Sequence, residues 1–123
     1  MKHREGSFTG AGDASIFYQS WEPEHSARAV FVLAHGAAEH SGRYDKFGSH
    51  FAARGYIVAA LDLPGHGRSD GEPGHIDNFD LYIDTLDLFQ QQVTTLYPGV
   101  PQILLGHSMG GLVATNHLLS RQS

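Results

Sequence analysis

The hydrophobic pattern of the chain switches repeatedly between short apolar runs and segments with helical spacing. The runs at residues 29–34 and 56–61 are continuous, which predicts strands buried on both faces of a sheet. Residues 15–21 mix aromatic and polar positions and predict a half-exposed early strand. Residues 102–105 form a further short apolar strand that leads into a glycine.

Three segments between or after these runs have helical spacing. Residues 79–97 predict the longest helix, with one apolar stripe (Phe79, Ile83, Leu86, Phe89 or Gln90, Val93, Leu96) and Asp77 or Asn78 as the N-terminal cap. Residues 44–54 predict a helix that ends at Gly55, and residues 109–119 predict a third. The order is strand, strand, helix, strand, helix, strand, helix. It is typical of an α/β fold with a mostly parallel sheet and flanking helices.

Composition narrows the class of protein. A chain of 123 residues, 41% apolar and 17% charged, fits one folded domain. With 8 basic against 13 acidic residues it lacks the basic surface that nucleic acid requires. It has no cysteine, no apolar leader region and no run long enough to span a membrane, so we expect a soluble cytoplasmic protein. Its 9 histidines form no H-x-x-x-H or H-E-x-x-H pair, and we expect no metal and no cofactor.

A G-x-S-x-G motif follows the last predicted strand, with glycines at Gly106 and Gly110 and the serine at Ser108. An apolar strand before the motif and an apolar helix after it are the context of a nucleophile elbow. In that turn the glycines leave room where strand and helix approach, and the serine hydroxyl sits at a helix N-terminus. The alternative is a glycine-rich turn with an idle serine.

A second small-residue loop, residues 35–44, follows the buried strand at 29–34. The backbone N–H of Ala37 in this loop and that of Met109, the residue after Ser108, are candidate donors to an oxyanion. Glu39 and Arg43 can brace the loop or form an ordinary surface ion pair.

Three motifs in this order, HGAAEHSGRY, LDLPGHGRSDG and GHSMGG, resemble the monoacylglycerol lipase and lysophospholipase group of α/β-hydrolases, also described as serine aminopeptidase-like hydrolases. The resemblance covers essentially the whole chain. It implies a Ser-Asp-His triad acting on small-molecule carboxylic esters, acylglycerols or lysophospholipids, with Ser108 as nucleophile and Ala37 and Met109 as oxyanion donors. Ala38 stands where many members have glycine. Asp62, Gly65, Gly67 and Ser69 of the middle motif are expected to shape its turn.

The remaining triad groups do not follow Ser108, because residues 109–123 contain no Asp or Glu. His117 is separated from Ser108 by about 13 Å of helical rise, and a dyad through His35 is a remote alternative. We therefore expect residues 1–123 to form a partial α/β-hydrolase domain, the nucleophile half, truncated after the elbow helix. The isolated chain is expected to be inactive, with an exposed edge strand that can pair with a missing C-terminal half. The rival interpretation is a non-catalytic fragment.

Overall fold

The computed structural model describes residues 1–36, 39–72, 78–107 and 109–120. Within these ranges, five strands form one sheet and three α-helices pack on its two faces. The elements are β1 (Lys2–Thr9), β2 (Ser15–Glu22), β3 (Val30–Ala34), α1 (Asp45–Ala52), β4 (Ile57–Leu61), α2 (Asp80–Leu96), β5 (Gln102–Gly106) and α3 (Met109–Ser120). Short 3₁₀ turns lie at Ala11–Asp13 and Ser41–Tyr44.

The strand order is β1-β2-β4-β3-β5, and the sheet is mixed. Strands β4, β3 and β5 run parallel, whereas β1 and β2 pair antiparallel with each other and β2 pairs antiparallel with β4. In the parallel part, Ala34 at the end of β3 is level with Gly106 at the end of β5. The loops after these two strands therefore emerge side by side at one edge of the sheet.

The predicted strands β3, β4 and β5 are confirmed, and β4 is buried along its whole length. In the N-terminal region one strand was missed and one expectation is wrong. Strand β1 was not expected, because its polar sequence lacks an apolar run; its residues alternate between exposed and half-buried at the sheet edge. Strand β2 is mostly buried rather than half-exposed, because β1 and β4 flank it and helices cover both of its faces.

The core is divided between the two faces of the sheet. On one face α2 and α3 cover alternate side chains of the central strands, including Val32 and Ala34 of β3. On the other face α1 covers Trp21, Leu33 and neighbouring side chains, with an aromatic cluster of Phe31, Phe47 and Phe51. Within the described ranges, no helix combines the length and apolarity needed to cross a bilayer.

The three predicted helices are present with adjusted ends. The segment predicted as a helix at 44–54 begins as a 3₁₀ turn and becomes α-helical over Asp45–Ala52, and Gly55 follows with a φ of 89°. The middle of the predicted α2 stripe, Ile83, Leu86, Phe89 and Val93, is buried together with Tyr82 and Thr85, whereas Phe79 and Leu96 at its two ends are half-buried. The side chain of Asn78 accepts a hydrogen bond from the N–H of Asp80, as a helix cap does. Asp77, the alternative cap, lies outside the described residues.

Strand β5 lies at the edge of the sheet in the strand order. Its Ile103 is 42% exposed, and Leu118 and Leu119 near the end of α3 are 55% and 61% exposed. These are apolar side chains on a strand with an open edge and on the helix that follows it. The expectation of an exposed hydrophobic edge is thus confirmed for the described residues.

Candidate active site

The turn between β5 and α3 is short and tightly packed. Strand β5 ends at Gly106, and α3 begins at Met109. The N–H of His107 donates to Ala34 O (3.1 Å), and the N–H of Gly110 donates to His107 O (2.9 Å). Ser108 itself lies outside the described residues, as do Ala37 and Ala38.

Two glycines of this turn occupy positions without room for a side chain. A Cβ on Gly106 would lie 2.5 Å from Gly110 O in the first turn of α3. A Cβ on Gly110 would lie 2.0 Å from Ala34 O and 2.4 Å from His35 O, at the end of β3. Because every one of these neighbours is backbone, it cannot rotate out of the way. Strand β5, the start of α3 and the end of β3 therefore approach each other through glycine.

Met109 is the first residue of α3, so its backbone N–H belongs to the first helical turn, where N–H groups have no intrahelical acceptor. The same end of the helix carries the positive end of the helix dipole. A group held just before Met109 is therefore next to the Met109 N–H and to the partial positive charge of this helix end. This environment stabilises negative charge that develops on an oxygen.

Glu39 connects the loop after β3 with the turn after β5. Its Oε1 accepts hydrogen bonds from the N–H of Gly36 (2.7 Å) and the hydroxyl of Tyr44 (3.2 Å), and lies 3.1 Å from Nδ1 of His107. Arg43 Nε is 3.6 Å from Oε2. The expected pairing of Glu39 with Arg43 is present, and the carboxylate also braces the loop through Gly36.

The contacts of Glu39 also determine its ionisation. The hydrogen bond with His107, and then the bond from the Gly36 N–H, lower the pKa of Glu39 below its ordinary value. The carboxyl group is therefore ionised at neutral pH and acts purely as an acceptor. The contact between Glu39 and His107 was missed at the sequence level, because the two residues are far apart in the chain. From the sequence, the spacing of Glu39 and Arg43 indicated only a local role for the glutamate.

The alternative base His35 is ruled out by its hydrogen bonds. Its ring is fully buried, with Nδ1 donating to Gly36 O (2.7 Å) and Nε2 accepting from the N–H of Leu63 (3.0 Å). Burial is the main cause that lowers the pKa of His35, and the ring is neutral. Its one lone pair is already used by Leu63. A rescue dyad through His35 is therefore wrong, although the strand that precedes His35 pairs with β5.

His117 also serves a packing role. It is buried on α3, and its Nε2 forms a hydrogen bond with Oε1 of Gln90 on α2. The contact explains why the position at residue 90 is polar within the apolar stripe of α2. His117 thus joins two helices on one face of the sheet.

The loop after β4 is held by Asp62, as expected for a residue that shapes a turn. Its buried carboxylate accepts hydrogen bonds from the N–H of Ser41 (2.6 Å) and of Arg68 (2.9 Å). Gly67 has a φ of 50°, and a Cβ there would lie 2.2 Å from Asp62 Oδ2. Ser69 donates to the carbonyl of Asp62. This network fastens the loop after β4 to the 3₁₀ turn at Ser41–Tyr44, which follows the loop at Gly36.

A cavity of about 360 Å³ opens beside the turn, on the face of the sheet that α1 covers. Its lining combines apolar side chains with the Glu39 cluster: Leu33, Glu39, Arg43, Tyr44, Phe47, Leu105, Gly106 and His107. The described part of the site thus offers a shaped recess next to the turn.

Comparisons with known proteins agree with the resemblance of the motifs. The family described as "Serine aminopeptidase, S33" matches residues 25–123. The chain is 43% identical over 107 residues to a monoacylglycerol lipase of Mycolicibacterium smegmatis, covering 87% of this chain and 38% of that protein. It is 36% identical over 99 residues to the monoglyceride lipase of Homo sapiens, covering 80% of this chain and 33% of that protein.

A solved structure shares the fold. A thermostable carboxyl esterase from Bacillus coagulans superposes with a TM-score of 0.84 at 27% identity, over 95% of this chain and 40% of that one. The chain thus spans well under half the length of the relatives that it matches. The relatives named above are ester-hydrolysing enzymes. The motifs, the fold and the family match together show that the chain belongs to the serine aminopeptidase (S33) family of α/β-hydrolases.

Proposed function

We propose that this chain carries the nucleophile and oxyanion hole of a carboxylic-ester hydrolase. Ser108 is the proposed nucleophile, the N–H groups of Ala37 and Met109 are the proposed oxyanion donors, and Gly106 and Gly110 are the glycines of the elbow. The observation that carries the proposal is the close approach of β5, the start of α3 and the end of β3 at those glycines. A serine in that turn sits beside a helix N-terminus.

The proposed reaction has two steps. The Ser108 oxygen attacks the ester carbonyl, its proton passes to a base, and the negative charge on the carbonyl oxygen is held by the two N–H groups. The alcohol leaves with that proton, and water then hydrolyses the acyl-enzyme. Serine needs a base that is oriented by a carboxylate, and residues 109–123 contain no Asp or Glu. Because the His35 lone pair is engaged, the proposed Asp and His lie in other sequence.

We propose that this other sequence is a C-terminal half that pairs with the described part. Support comes from the edge position of β5 and the exposed Ile103, Leu118 and Leu119. An open, apolar strand edge is a template for a further strand. The cheapest test is to read the frame beyond Ser123, or an adjacent frame, for a late Asp followed by a His. Absence of both would favour the rival function, a non-catalytic fragment.

The substrate proposed is a small lipid ester, an acylglycerol or a lysophospholipid. It is supported by the names of relatives, which include a monoacylglycerol lipase and a probable lysophospholipase of Haemophilus influenzae. The family description also names an aminopeptidase, so an ester and an amide must be compared. We expect monooleoylglycerol to be cleaved and an aminoacyl p-nitroanilide to be left intact by the native full-length polypeptide.

The nucleophile is tested with p-nitrophenyl butyrate and Ser108→Ala. In the native full-length polypeptide that supplies the Asp and His, we expect the variant to lose at least about 1,000-fold in kcat. For residues 1–123 alone, we expect wild type and variant to show equal, background rates. Equal rates in the full-length pair would remove Ser108 from the mechanism. Turnover by residues 1–123 that depends on Ser108 would contradict the need for a second segment.

A further inference from the structure

One carboxylate joins the two segments that carry the proposed oxyanion donors. Glu39 Oε1 lies 2.7 Å from the Gly36 nitrogen and 3.1 Å from His107 Nδ1. Gly36 immediately precedes Ala37, and His107 immediately precedes Ser108. Each segment is therefore tethered one residue away from a group that the proposed function places at the reacting centre.

Among the described residues, the backbone hydrogen bonds of the sheet end before this point. The last of them between the two segments runs from the N–H of His107 to Ala34 O, at 3.1 Å. Beyond it the chains leave the sheet in separate loops. The Glu39 carboxylate continues the connection past the end of the ladder, through a side chain that is only 15% exposed.

The packing around Gly36 shows how closely the parts meet. A Cβ at this position would lie 2.7 Å from Glu39 Oε1, and 3.1 Å from both Nδ1 and O of His107. The loop after β3, the Glu39 carboxylate and the turn after β5 are thus in mutual contact. A shift of any one of them displaces the others.

We propose that Glu39 is a positioning residue that sets the separation between the two oxyanion donors by holding both segments on its carboxylate. The inference rests on the proposed function, because it concerns the same oxyanion hole. A donor must lie about 2.7–3.1 Å from the charged oxygen, so a small displacement of either segment weakens the stabilisation of the transition state. Loss of Glu39 thus lowers kcat with little change in KM.

The chemistry of the contact favours a carboxylate at position 39. An ionised carboxylate is acceptor-only and can take hydrogen bonds from an amide, a hydroxyl and an imidazole together. Glutamine keeps one oxygen acceptor for Gly36 but loses the charge that strengthens the other bonds. Tyr44 donates to the same oxygen at 3.2 Å, which adds a third support to the carboxylate.

The kinetic test compares Glu39→Ala and Glu39→Gln with Glu5→Gln in the native full-length polypeptide. Glu5 forms an ion pair with Arg68 (3.0 Å) at the surface and serves as the matched loss of one carboxylate. We expect Glu39→Ala to lower kcat by about 100-fold, the size reported for one lost oxyanion donor, with KM within about three-fold. Glu39→Gln is expected to lose less than Glu39→Ala, and Glu5→Gln to match wild type.

A second measurement does not depend on turnover. Amide hydrogen exchange of Gly36, followed by NMR on residues 1–123 in wild type, Glu39→Ala and Glu5→Gln, reports the brace itself. We expect exchange at Gly36 to be at least ten-fold faster in Glu39→Ala and unchanged in Glu5→Gln, after correction for global stability.

The two measurements separate the possible failures. Unchanged Gly36 exchange in Glu39→Ala would overturn the proposal, since the brace would not hold the loop. Faster exchange with wild-type kcat would also overturn it, since Glu39 would then be structural alone. If Ser108→Ala leaves full-length turnover unchanged, the proposed function fails instead, and the exchange result still decides whether Glu39 joins the two segments.

Discussion

Gly110 and Gly111 are adjacent glycines in the first turn of α3 that differ sharply in the space around them. A Cβ on Gly110 would lie 2.0 Å from Ala34 O, well inside the roughly 3.5 Å of ordinary nonbonded contact. A Cβ on Gly111 would lie 3.4 Å from Gly106 O, an ordinary contact. Substitution of each by alanine therefore applies the same chemical change to two different environments.

The expected stabilities follow from two opposing terms. Alanine is favoured over glycine in a helix by about 1 kcal/mol, and this gain is common to both variants. Gly110→Ala must also push α3 away from the end of β3, and overpacking of this kind costs about 3 kcal/mol at the upper end of its range. We expect Gly110→Ala to lower the free energy of unfolding by about 2 kcal/mol and Gly111→Ala to leave it unchanged or raise it by up to about 1 kcal/mol.

The assay is urea unfolding followed by tryptophan fluorescence and far-UV circular dichroism. The chain has 1 tryptophan, and Trp21 is fully buried under α1, so its emission reports the loss of the core. The difference between the two variants isolates the overpacking term, since the helix term cancels. A difference below about 1 kcal/mol would refute the close approach of α3 to β3.

Three further outcomes are expected. Gly67→Ala places a Cβ 2.2 Å from Asp62 Oδ2 at a φ of 50°. We therefore expect this substitution to lower the free energy of unfolding by about 2 kcal/mol, measured by thermal unfolding. In Asp62→Asn the NH₂ group of the amide faces the N–H of Ser41 or of Arg68, so one of the two hydrogen bonds is lost. We expect the free energy of unfolding to fall by about 1–3 kcal/mol, measured by urea unfolding. The pKa of Glu39 is lowered in the folded chain, mainly by its bond with His107. Its contribution to stability is therefore present above the ordinary glutamate pKa of about 4.3 and lost as pH falls through the lower folded value. Denaturation of Glu39→Gln between pH 3 and 7 is expected to show a flatter acid limb, and a limb as steep as that of wild type would contradict it.

The elements on either side of the turn between β5 and α3 could be predicted because their signals are local. A continuous apolar run at β3 or β4, a helical stripe on α2 and a glycine before and after a short turn are all recorded within about 20 residues of sequence. The expectation that Gly106 and Gly110 leave room for close packing has the same local basis. A strand that turns directly into a helix brings its own neighbouring residues close together.

The N-terminal hairpin shows where local signals are insufficient. Strand β1 is polar, and nothing within its eight residues distinguishes an edge strand from a loop. It becomes a strand because β2 offers a full row of antiparallel partners, from Lys2 opposite Glu22 to Thr9 opposite Ser15. The burial of β2 has the same origin, because it depends on β1 before it and on β4, α1 and α2 later in the chain.

The sequence by itself determined the α/β class, the positions of the central strands and helices, and the candidate residues Ser108, Ala37 and Met109, because periodicity and turn chemistry act over a few residues. Tertiary structure alone decided the strand order, the hydrogen bonds that occupy both nitrogens of His35 and the contact between Glu39 and His107. Those features depend on which distant segments meet, and the hydrophobic pattern carries no record of that. From the sequence, Glu39 is therefore interpreted as a residue of one loop. The fold shows that its carboxylate connects two loops.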